Sequence, residues 1–346
     1  MNKNRIIGLD ILRSVAILLV LYSHLRIYCF EYNLYKIRID GVSVFFVLSG
    51  FLIGNILIEK IRTNKLNILH FLIFRWTKTL PSYFVILFLI LIYYIVTKQD
   101  FSAFNYKYVI FIQNFYTSHP SFFKEAWSLS IEEWMYIFLP LVLILNNFFK
   151  IDKLKYFISV FLFFVFISII LRITYYELGI YSSLKEEFRK IILFRFDSII
   201  FGFLVSIFYI YFHNFWKKFS LLSLFLGLIC ILSIELKLWN YPPLYFTLES
   251  IAILFLLPYL SNKDFLPPKT LNYLFYFISK ISYSLYLINL SFMQIIFIPF
   301  FLKYFSFIVP NNNFILYYYL IFTFFFAILL HYFIEIPFLR LRHKLN

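Results

Sequence analysis

The sequence predicts an all-α protein, a polytopic membrane bundle of about ten transmembrane helices with both termini in the cytoplasm. Of its 346 residues, 62% are hydrophobic and only 14% are charged, and the mean hydropathy is +0.83. Water-soluble domains carry about 25% charged residues. The composition therefore excludes an ordinary soluble domain, a coiled coil and a disordered chain, and indicates that the chain folds in a bilayer.

Ten apolar segments approach the length of about 20 residues that a spanning helix needs. Together they divide the whole chain, and they run over Ile7–Cys29, Gly41–Ile58, Pro81–Val96, Trp127–Asn146, Phe157–Tyr175, Ile191–Phe212, Leu221–Leu236, Tyr245–Leu260, Leu274–Phe300 and Phe314–Phe338. The first segment contains charges and has no small-residue cleavage site, so we interpret it as a retained helix rather than a signal peptide. We expect residues 1–346 to form one membrane domain without an attached soluble domain.

The excess of basic residues that gives the net charge of +15 lies mainly in the predicted loops. If the amino terminus is cytoplasmic, the segments on that side hold 17 of the 32 basic residues and three of the 17 acidic ones. The positive-inside rule then places both termini in the cytoplasm, and the basic surplus indicates topology rather than nucleic-acid binding. Cys29 and Cys230 lie far apart, so we expect neither a disulfide framework nor a metal site.

Nine ionisable residues fall inside the apolar segments, where each costs about 2.5–3.5 kcal/mol on insertion scales and therefore needs a partner or a function. They are Asp10, Arg13, Glu132, Glu133, Arg195, Asp197, Glu249, Lys280 and Glu335. Arg195 and Asp197 are close enough in sequence to form an internal ion pair. Ser282 and Tyr283 are typical of polar contacts between helices.

Arg13 and His24 lie on one face of the first helix. Eleven residues at 100° per residue bring the chain to within 20° of three full turns, and the two side chains lie roughly 16 Å apart along the axis. Asp10, one turn before Arg13, could pair with it. Taken alone, each residue has an equally good structural explanation. Arg13 could extend to the membrane interface, and His24 could be a packed or interfacial histidine.

Two adjacent carboxylates, Glu132 and Glu133, lie at a depth in the fourth segment that is similar to that of His24. A carboxylate within reach of an imidazole fixes its tautomer and raises its basicity. We therefore predict that one of the two glutamates orients His24. The alternative is that they form ion pairs with Arg195 or Lys124.

A second basic cluster precedes the third segment. Arg75 and Lys78 are three residues apart and are predicted to lie on one face of an interfacial turn, at the depth of Arg13. Such a cluster suits a phosphate-bearing ligand on the cytoplasmic side. Basic residues at this position are also common topology signals.

These motifs resemble the integral-membrane acyltransferase 3 family, which O-acylates cell-surface glycans. The resemblance spans nearly the whole chain and is most specific in the spacing of Arg13 and His24 and in the run Trp127-Ser128-Leu-Ser130-Ile-Glu132-Glu133. Its further parts are Leu9-Asp10-Ile-Leu-Arg13, Gly41 to Phe51, Arg75-x-x-Lys78 before Pro81, Arg195-Phe-Asp197 with Gly202, and Ser282-Tyr283-Ser-Leu-Tyr286. The sequence departs from the family pattern at Ile11 for glycine, Lys78 for the second arginine, and Asn289 where a histidine is common. Asn289 argues against a catalytic base on the ninth helix.

The resemblance implies a cosubstrate, acetyl-CoA or another acyl-CoA, that enters from the cytoplasm, and a sugar hydroxyl of a surface glycan or lipid-linked sugar as acceptor on the outer side. Arg13, Arg75 and Lys78 would bind the donor phosphates. His24 would act as general base or carry the acyl group itself, and Glu132 or Glu133 would hold it. The partners are then acyl-CoA, the glycan and the lipid bilayer of a bacterial plasma or inner membrane.

Two other functions are compatible with buried charges. A transporter or flippase of a lipid-linked sugar also places ionisable residues within a bundle, but such sites are commonly built on helices interrupted by Gly or Pro, and only seven glycines occur here. A purely structural membrane subunit would leave the nine buried charges without a use. We therefore predict an O-acyltransferase.

Overall fold

The computed structural model describes residues 5–26, 35–100, 102, 104–179, 181, 183–262, 268–305 and 312–344. Its regular structure is helical, and this part of the chain contains no strand. The α-helices are α1 Ile7–Leu25, α2 Gly41–Arg62, α3 Ile68–Val96, α4 Ala126–Ile144, α5 Asn146–Phe149, α6 Lys153–Glu177, α7 Leu184–Lys190, α8 Phe196–Tyr211, α9 His213–Lys218, α10 Ser220–Glu235, α11 Tyr245–Leu260, α12 Lys269–Leu287, α13 Ile298–Phe305, α14 Asn312–Leu330 and α15 Ile336–Lys344. Two π-helical turns, Ile288–Phe297 and His331–Glu335, join α12 to α13 and α14 to α15.

The all-helical membrane fold is confirmed. Among the described residues, eight helical stretches are long and apolar enough to cross a membrane. The other two apolar segments form α8 and α10, which have 16 residues each and are therefore about 24 Å long, shorter than the hydrocarbon core of about 30 Å. Within the described residues, each of the ten apolar segments thus contains a helix, while ten crossings and cytoplasmic termini stay predictions.

The third helix begins earlier than the sequence indicated. Pro81 was expected to mark its start, but α3 runs without interruption from Ile68 to Val96, and the Asn67 side chain accepts a hydrogen bond from the His70 backbone N–H at 3.0 Å as its cap. Arg75 and Lys78 therefore lie on a helix within the bundle rather than in an interfacial turn. Proline lacks only one backbone donor, and tertiary packing on both sides tolerates that loss.

The structure describes Cys230 but not Cys29. Cys230 is a free, half-buried cysteine of α10. Cys29 lies outside the described residues, as does the end of the first apolar segment that reaches it.

Helix α2 lies at the centre of the bundle, where it packs most extensively against α8 and also against α1 and α11. Glycines make the α2–α8 contact possible. A Cβ atom on Gly50 would lie 1.8 Å from the backbone oxygen of Ile199, and one on Gly202 would lie 2.0 Å from the backbone oxygen of Val47. The two backbones touch directly, as in the close helix crossings that small residues permit in membranes.

Gly202→Ala should lower the stability of the protein, because the added methyl group meets backbone that cannot move aside. We expect a loss of about 1–3 kcal/mol, measured as a lower thermal unfolding midpoint in detergent micelles. The matched control is Gly227→Ala in α10, where the nearest atom to the new Cβ is the side-chain Cδ2 of Leu256 at 2.8 Å, which can rotate away. Equal destabilisation by both substitutions would contradict this account.

Candidate active site

Two polar cavities lie next to each other in the bundle. The first, which we call the Arg13 cavity, encloses about 920 Å³ including its open mouth, and among the residues that line it are Arg13, Ser49, Arg75, Lys78, Glu132, Tyr136, Ser282 and Tyr283. The second, which we call the His24 cavity, encloses about 690 Å³, and its lining includes His24, His119, Lys124, Glu125, Arg189 and Lys190. Val42 and Tyr286 line both.

The Arg13 cavity brings together the three cations predicted to bind phosphate. Arg13 comes from α1, while Arg75 and Lys78 come from neighbouring positions on α3. Among the described residues that line this cavity, three are basic and one, Glu132, is acidic, so the net charge of the cavity is positive. The Nε atom of Arg75 is buried without a hydrogen-bond partner, and such an orphaned donor indicates a place where a ligand can bind.

A chain of hydrogen bonds fixes the wall of the Arg13 cavity. Arg75 Nη2 donates to the Tyr136 hydroxyl at 3.1 Å, and that hydroxyl donates to the Glu132 carboxylate. The hydroxyl of Ser49 lies 2.7 Å from the Tyr136 hydroxyl and 3.4 Å from the Glu132 carboxylate. The guanidinium of Arg75 also lies over the Tyr136 ring, 4.7 Å from its centre. Arg75 is therefore held in one position before any ligand binds.

Asp10 pairs with a different arginine from the one the sequence suggested. Its carboxylate accepts hydrogen bonds from Arg5 and, at 2.8 Å, from the hydroxyl of Ser279. Arg13 instead reaches the same Ser279 hydroxyl at 3.5 Å. Arg5 lies near the start of α1 and can fold back onto Asp10, which leaves the Arg13 guanidinium directed to the cavity.

His24 is oriented by Asn289. The Nδ1 atom of His24 and the side-chain oxygen of Asn289 form a short hydrogen bond. The Asn289 amide nitrogen donates to the backbone oxygens of Leu285 and Tyr286 at 2.9 and 2.7 Å, which fixes which end of the amide faces His24. An oxygen can only accept, so the proton of neutral His24 lies on Nδ1 and the lone pair on Nε2. The arrangement therefore provides a base with a defined direction.

Glu132 and Glu133 bond to residues other than His24, so the prediction that one of them orients this histidine is wrong. Glu132 bonds to Tyr136 and Ser49, and the Glu133 carboxylate accepts from Trp76 Nε1 at 2.8 Å and from the Thr79 hydroxyl at 3.1 Å. Glu125, the residue before α4, lines the same cavity as His24, and Glu132, seven residues later, lies about 10 Å further along the helix axis. Glu132 therefore lies at the level of Arg13 and Arg75 instead.

Among the described residues that line the His24 cavity, the carboxylate is that of Glu125. It accepts hydrogen bonds from the backbone N–H groups of Leu290 and Ser291 at 3.2 and 2.6 Å, and from the Ser291 hydroxyl. These donors belong to the π-helical turn Ile288–Phe297 that also carries Asn289. The backbone oxygen of Asn289 accepts from the Tyr319 hydroxyl at 2.7 Å. Glu125 and Tyr319 thus hold the turn that aims Asn289 at His24.

The remaining charges of the His24 cavity are partly compensated. Arg189 donates two hydrogen bonds to the Asp40 carboxylate at 2.6 and 3.2 Å, and Lys190 pairs with Glu186 at 2.6 Å. Burial alone would raise the pKa of the Asp40 carboxyl, but the adjacent Arg189 guanidinium lowers that pKa below its ordinary value. Burial lowers the pKa of His119 to about 4, so this side chain is neutral at pH 7.

Arg195 and Asp197 do not pair with each other as predicted. Asp197 accepts from Arg172 at 2.7 Å and from the Thr247 hydroxyl at 2.6 Å, whereas Arg195 donates to the Ser43 hydroxyl at 2.8 Å. Asp197 faces α6 and α11, while Arg195 precedes the helix and faces α2. Both side chains are fully buried and join helices rather than line either cavity.

The predicted supporting residues divide between the cavities and the helix contacts. The hydroxyl of Ser128 lies 2.6 Å from that of Tyr286, and Tyr283 donates to the Thr79 backbone oxygen at 2.7 Å, so both hold cavity walls. Ser282 lines the Arg13 cavity and donates to the Ser279 backbone oxygen. Ser130 bonds to the Ala126 backbone oxygen and accepts from Gln113 at 2.6 Å, which makes it a helix contact.

Sequence reasoning did not identify Asn289, Glu125, Tyr136 or Tyr286 as site residues. Asn289 was noted only as a departure, and Glu125 lies just before the Trp127 motif. The sequence signal that could have identified further site residues is the presence of polar residues next to a strong motif. The π-helical turn shifts residues off the regular helical period, so periodicity could not reveal the contact of Asn289 with His24.

Comparison with known proteins identifies the family of the chain. The family model described as "Acyltransferase domain" matches residues 6–334, and the chain belongs to this acyltransferase family. Similar curated proteins include peptidoglycan O-acetyltransferase OatA of Listeria monocytogenes, 28% identical over 159 residues that make up 41% of this chain and 25% of the relative. Putative peptidoglycan O-acetyltransferase YrhL of Bacillus subtilis is 29% identical over 155 residues, 40% of this chain and 24% of the relative.

O-acetyltransferase OatA of Staphylococcus aureus is 29% identical over 153 residues, which are 39% of this chain and 24% of the relative. The matched region thus spans about a quarter of the length of these curated relatives. No solved structure matches the chain. Within the described part of the chain, no group of three or more His, Cys, Asp or Glu side chains is placed to hold a metal ion.

Glu125→Gln should flatten the pH dependence of stability between about pH 4.5 and 7. Burial raises the pKa of the Glu125 carboxyl from 4.5 to about 7. The folded state then binds a proton more tightly than the unfolded state, so this group's contribution to stability is complete below about pH 4.5 and is lost as the pH rises to about 7. Thermal unfolding in detergent, followed across this range, measures the slope. The control is the exposed Glu59→Gln, and an equal change of slope in both variants would refute the assignment.

Proposed function

We propose that this chain is a membrane O-acyltransferase, with acetyl as the default acyl group, that moves the group from a cytoplasmic acyl-CoA to a sugar hydroxyl of a surface glycan on the outer side. The observation that carries the proposal is the pair of adjacent cavities, one with a cluster of cations and one with an oriented imidazole. Membership of the acyltransferase family supports the reaction class, and the printed names of the relatives support a glycan acceptor.

The Arg13 cavity is suited to the donor. The phosphates of acyl-CoA are multiply charged, and Arg13, Arg75 and Lys78 offer charge-assisted hydrogen bonds to them. The orphaned Nε of Arg75 gains an acceptor when such a ligand binds. Since the predicted topology places the first turns of α1 towards the cytoplasm, the donor would enter from that side with its thioester directed to the wall formed by Val42 and Tyr286.

The His24 cavity is suited to the acceptor. With its proton on Nδ1 held by Asn289, His24 can accept the proton of a sugar hydroxyl at Nε2 as the oxygen attacks the thioester carbonyl. The new C–O bond forms, the C–S bond breaks, and the proton held on His24 passes to the departing CoA thiolate. One ester and one free thiol result, so atoms and charges balance. Asn289 is neutral, so it positions the imidazole through geometry rather than through an opposite charge.

His24→Ala should abolish acyl transfer, because it removes the base. Asn289→Leu should lower turnover on the order of 100-fold, the effect of misplacing a catalytic group by about 1 Å. The measurement is the amount of ester-linked acetyl that mild alkali releases from the surface glycan of cells carrying each variant. His213→Ala is the matched control, since His213 is an exposed histidine that lines neither cavity. Normal acetylation by the folded His24→Ala variant would exclude this mechanism.

Acetyl-CoA should raise the unfolding temperature of the purified protein, and Lys78→Gln should weaken this effect with roughly a tenfold lower affinity, because one charge-assisted contact to phosphate is lost. The same variant should raise KM for acetyl-CoA with little change in kcat, as expected for a contact present throughout the reaction. Lys65→Gln, an exposed lysine outside both cavities, is the control. A transporter of lipid-linked sugars would show no stabilisation by acetyl-CoA, and that result would overturn the proposed donor.

A further inference from the structure

The Arg13 cavity and the His24 cavity meet at a wall of two side chains. Val42, in the first turn of α2, and Tyr286, near the end of α12, are the described residues common to both linings. If the donor occupies one cavity and the acceptor the other, the acyl carbon must leave sulfur and reach oxygen at this wall. The acyl chain then lies against Val42 and Tyr286 during the reaction.

Val42 is held in a fixed position. The Asp40 carboxylate caps α2 by accepting from the Val42 backbone N–H at 3.0 Å, and Asp40 is itself paired with Arg189. The preceding residue, Gly41, packs so closely on α1 that a Cβ there would lie 2.3 Å from the Ala16 backbone oxygen. A β-branched side chain also has one strongly preferred rotamer in a helix. The methyl groups of Val42 therefore cannot move aside at low cost.

Tyr286 is fixed by hydrogen bonds at its far end. Its hydroxyl donates to the Glu125 backbone oxygen at 3.1 Å and lies 2.6 Å from the Ser128 hydroxyl, which can donate to it. Its ring packs edge-to-face on Phe45, with 6.5 Å between the ring centres. The side chain is buried. The wall is therefore rigid on both sides.

We propose that Val42 and Tyr286 determine the length of the acyl group that the protein transfers. This inference rests on the proposed function and extends it to the donor's acyl chain. A fixed wall accommodates a short acyl group and collides with each further methylene. One methylene in a close-fitting apolar pocket changes selectivity by about 10- to 200-fold, so these two side chains are sufficient to favour acetyl over longer groups.

The test is a competition between donors. Permeabilised membranes from cells that produce the full chain receive equal concentrations of acetyl-CoA, propionyl-CoA and butyryl-CoA, with the cells' own surface glycan as acceptor. Mild alkali releases the ester-linked acyl groups, and mass spectrometry gives their ratio. We expect the wild type to favour acetyl and Val42→Ala to raise the propionyl-to-acetyl ratio about tenfold or more. Val42→Ile, with one added methylene, should lower the same ratio.

Val44→Ala is the matched control, because Val44 is a buried valine on the same helix that lines neither cavity. It should leave the ratio unchanged. A ratio that stays constant in both Val42 variants, or that shifts equally in Val44→Ala, overturns the assignment of the wall while transfer by the wild type still supports the proposed function. If Val42→Ala does not fold, the conservative Val42→Ile decides the question. A folded wild type that transfers no group from any of the three donors overturns the proposed function and this inference with it.

Discussion

The bundle depends on how closely the backbone of α2 approaches its neighbours. Gly50 contacts the α8 backbone, and Gly41 contacts the α1 backbone, with no side chain between them. In a bilayer no hydrophobic force drives helices together, so direct backbone contact and the dispersion it allows supply much of the association. These contacts set the height and rotation of α2. They therefore place Val42 between the two cavities and Ser49 beside Glu132.

The buried charges separate into those that hold the bundle and those that remain at the cavities. Arg172 with Asp197, Glu133 with Trp76, and Glu335 with His331 and Ser284 are joined by hydrogen bonds between 2.7 and 3.1 Å. Removing one member of such a buried pair would leave the other unsatisfied in a low-dielectric medium. The cluster around Arg13 differs, because its cations outnumber its acid among the described residues. An excess of one charge within a membrane protein is costly unless a ligand of opposite charge binds there.

The π-helical turn after α12 links stability to the orientation of His24. A π turn frees backbone N–H groups from the regular helical pattern, and Glu125 accepts two of them. The same turn presents the Asn289 side-chain oxygen to His24. The tautomer of His24 is thus set by the neutral side-chain amide of Asn289. The backbone oxygens of Leu285 and Tyr286 hold that amide in place, and Tyr319 donates to the backbone oxygen of Asn289.

The helices and the proximity of Arg75 to Lys78 could be predicted from the sequence. Apolar length requires helices in a bilayer, and helical periodicity brought Arg75 and Lys78 to one cavity. The hydrogen-bond partners of His24 and of the buried charges depend on how the helices pack and could not be predicted. The carboxylates predicted to orient His24 lie about 10 Å away along α4, and Asn289, noted only as a departure, takes that place. Partner choice depends on the relative height and rotation of α1, α4 and the π turn. Glycine contacts and irregular helical turns set these quantities, and periodicity within a single segment does not contain them.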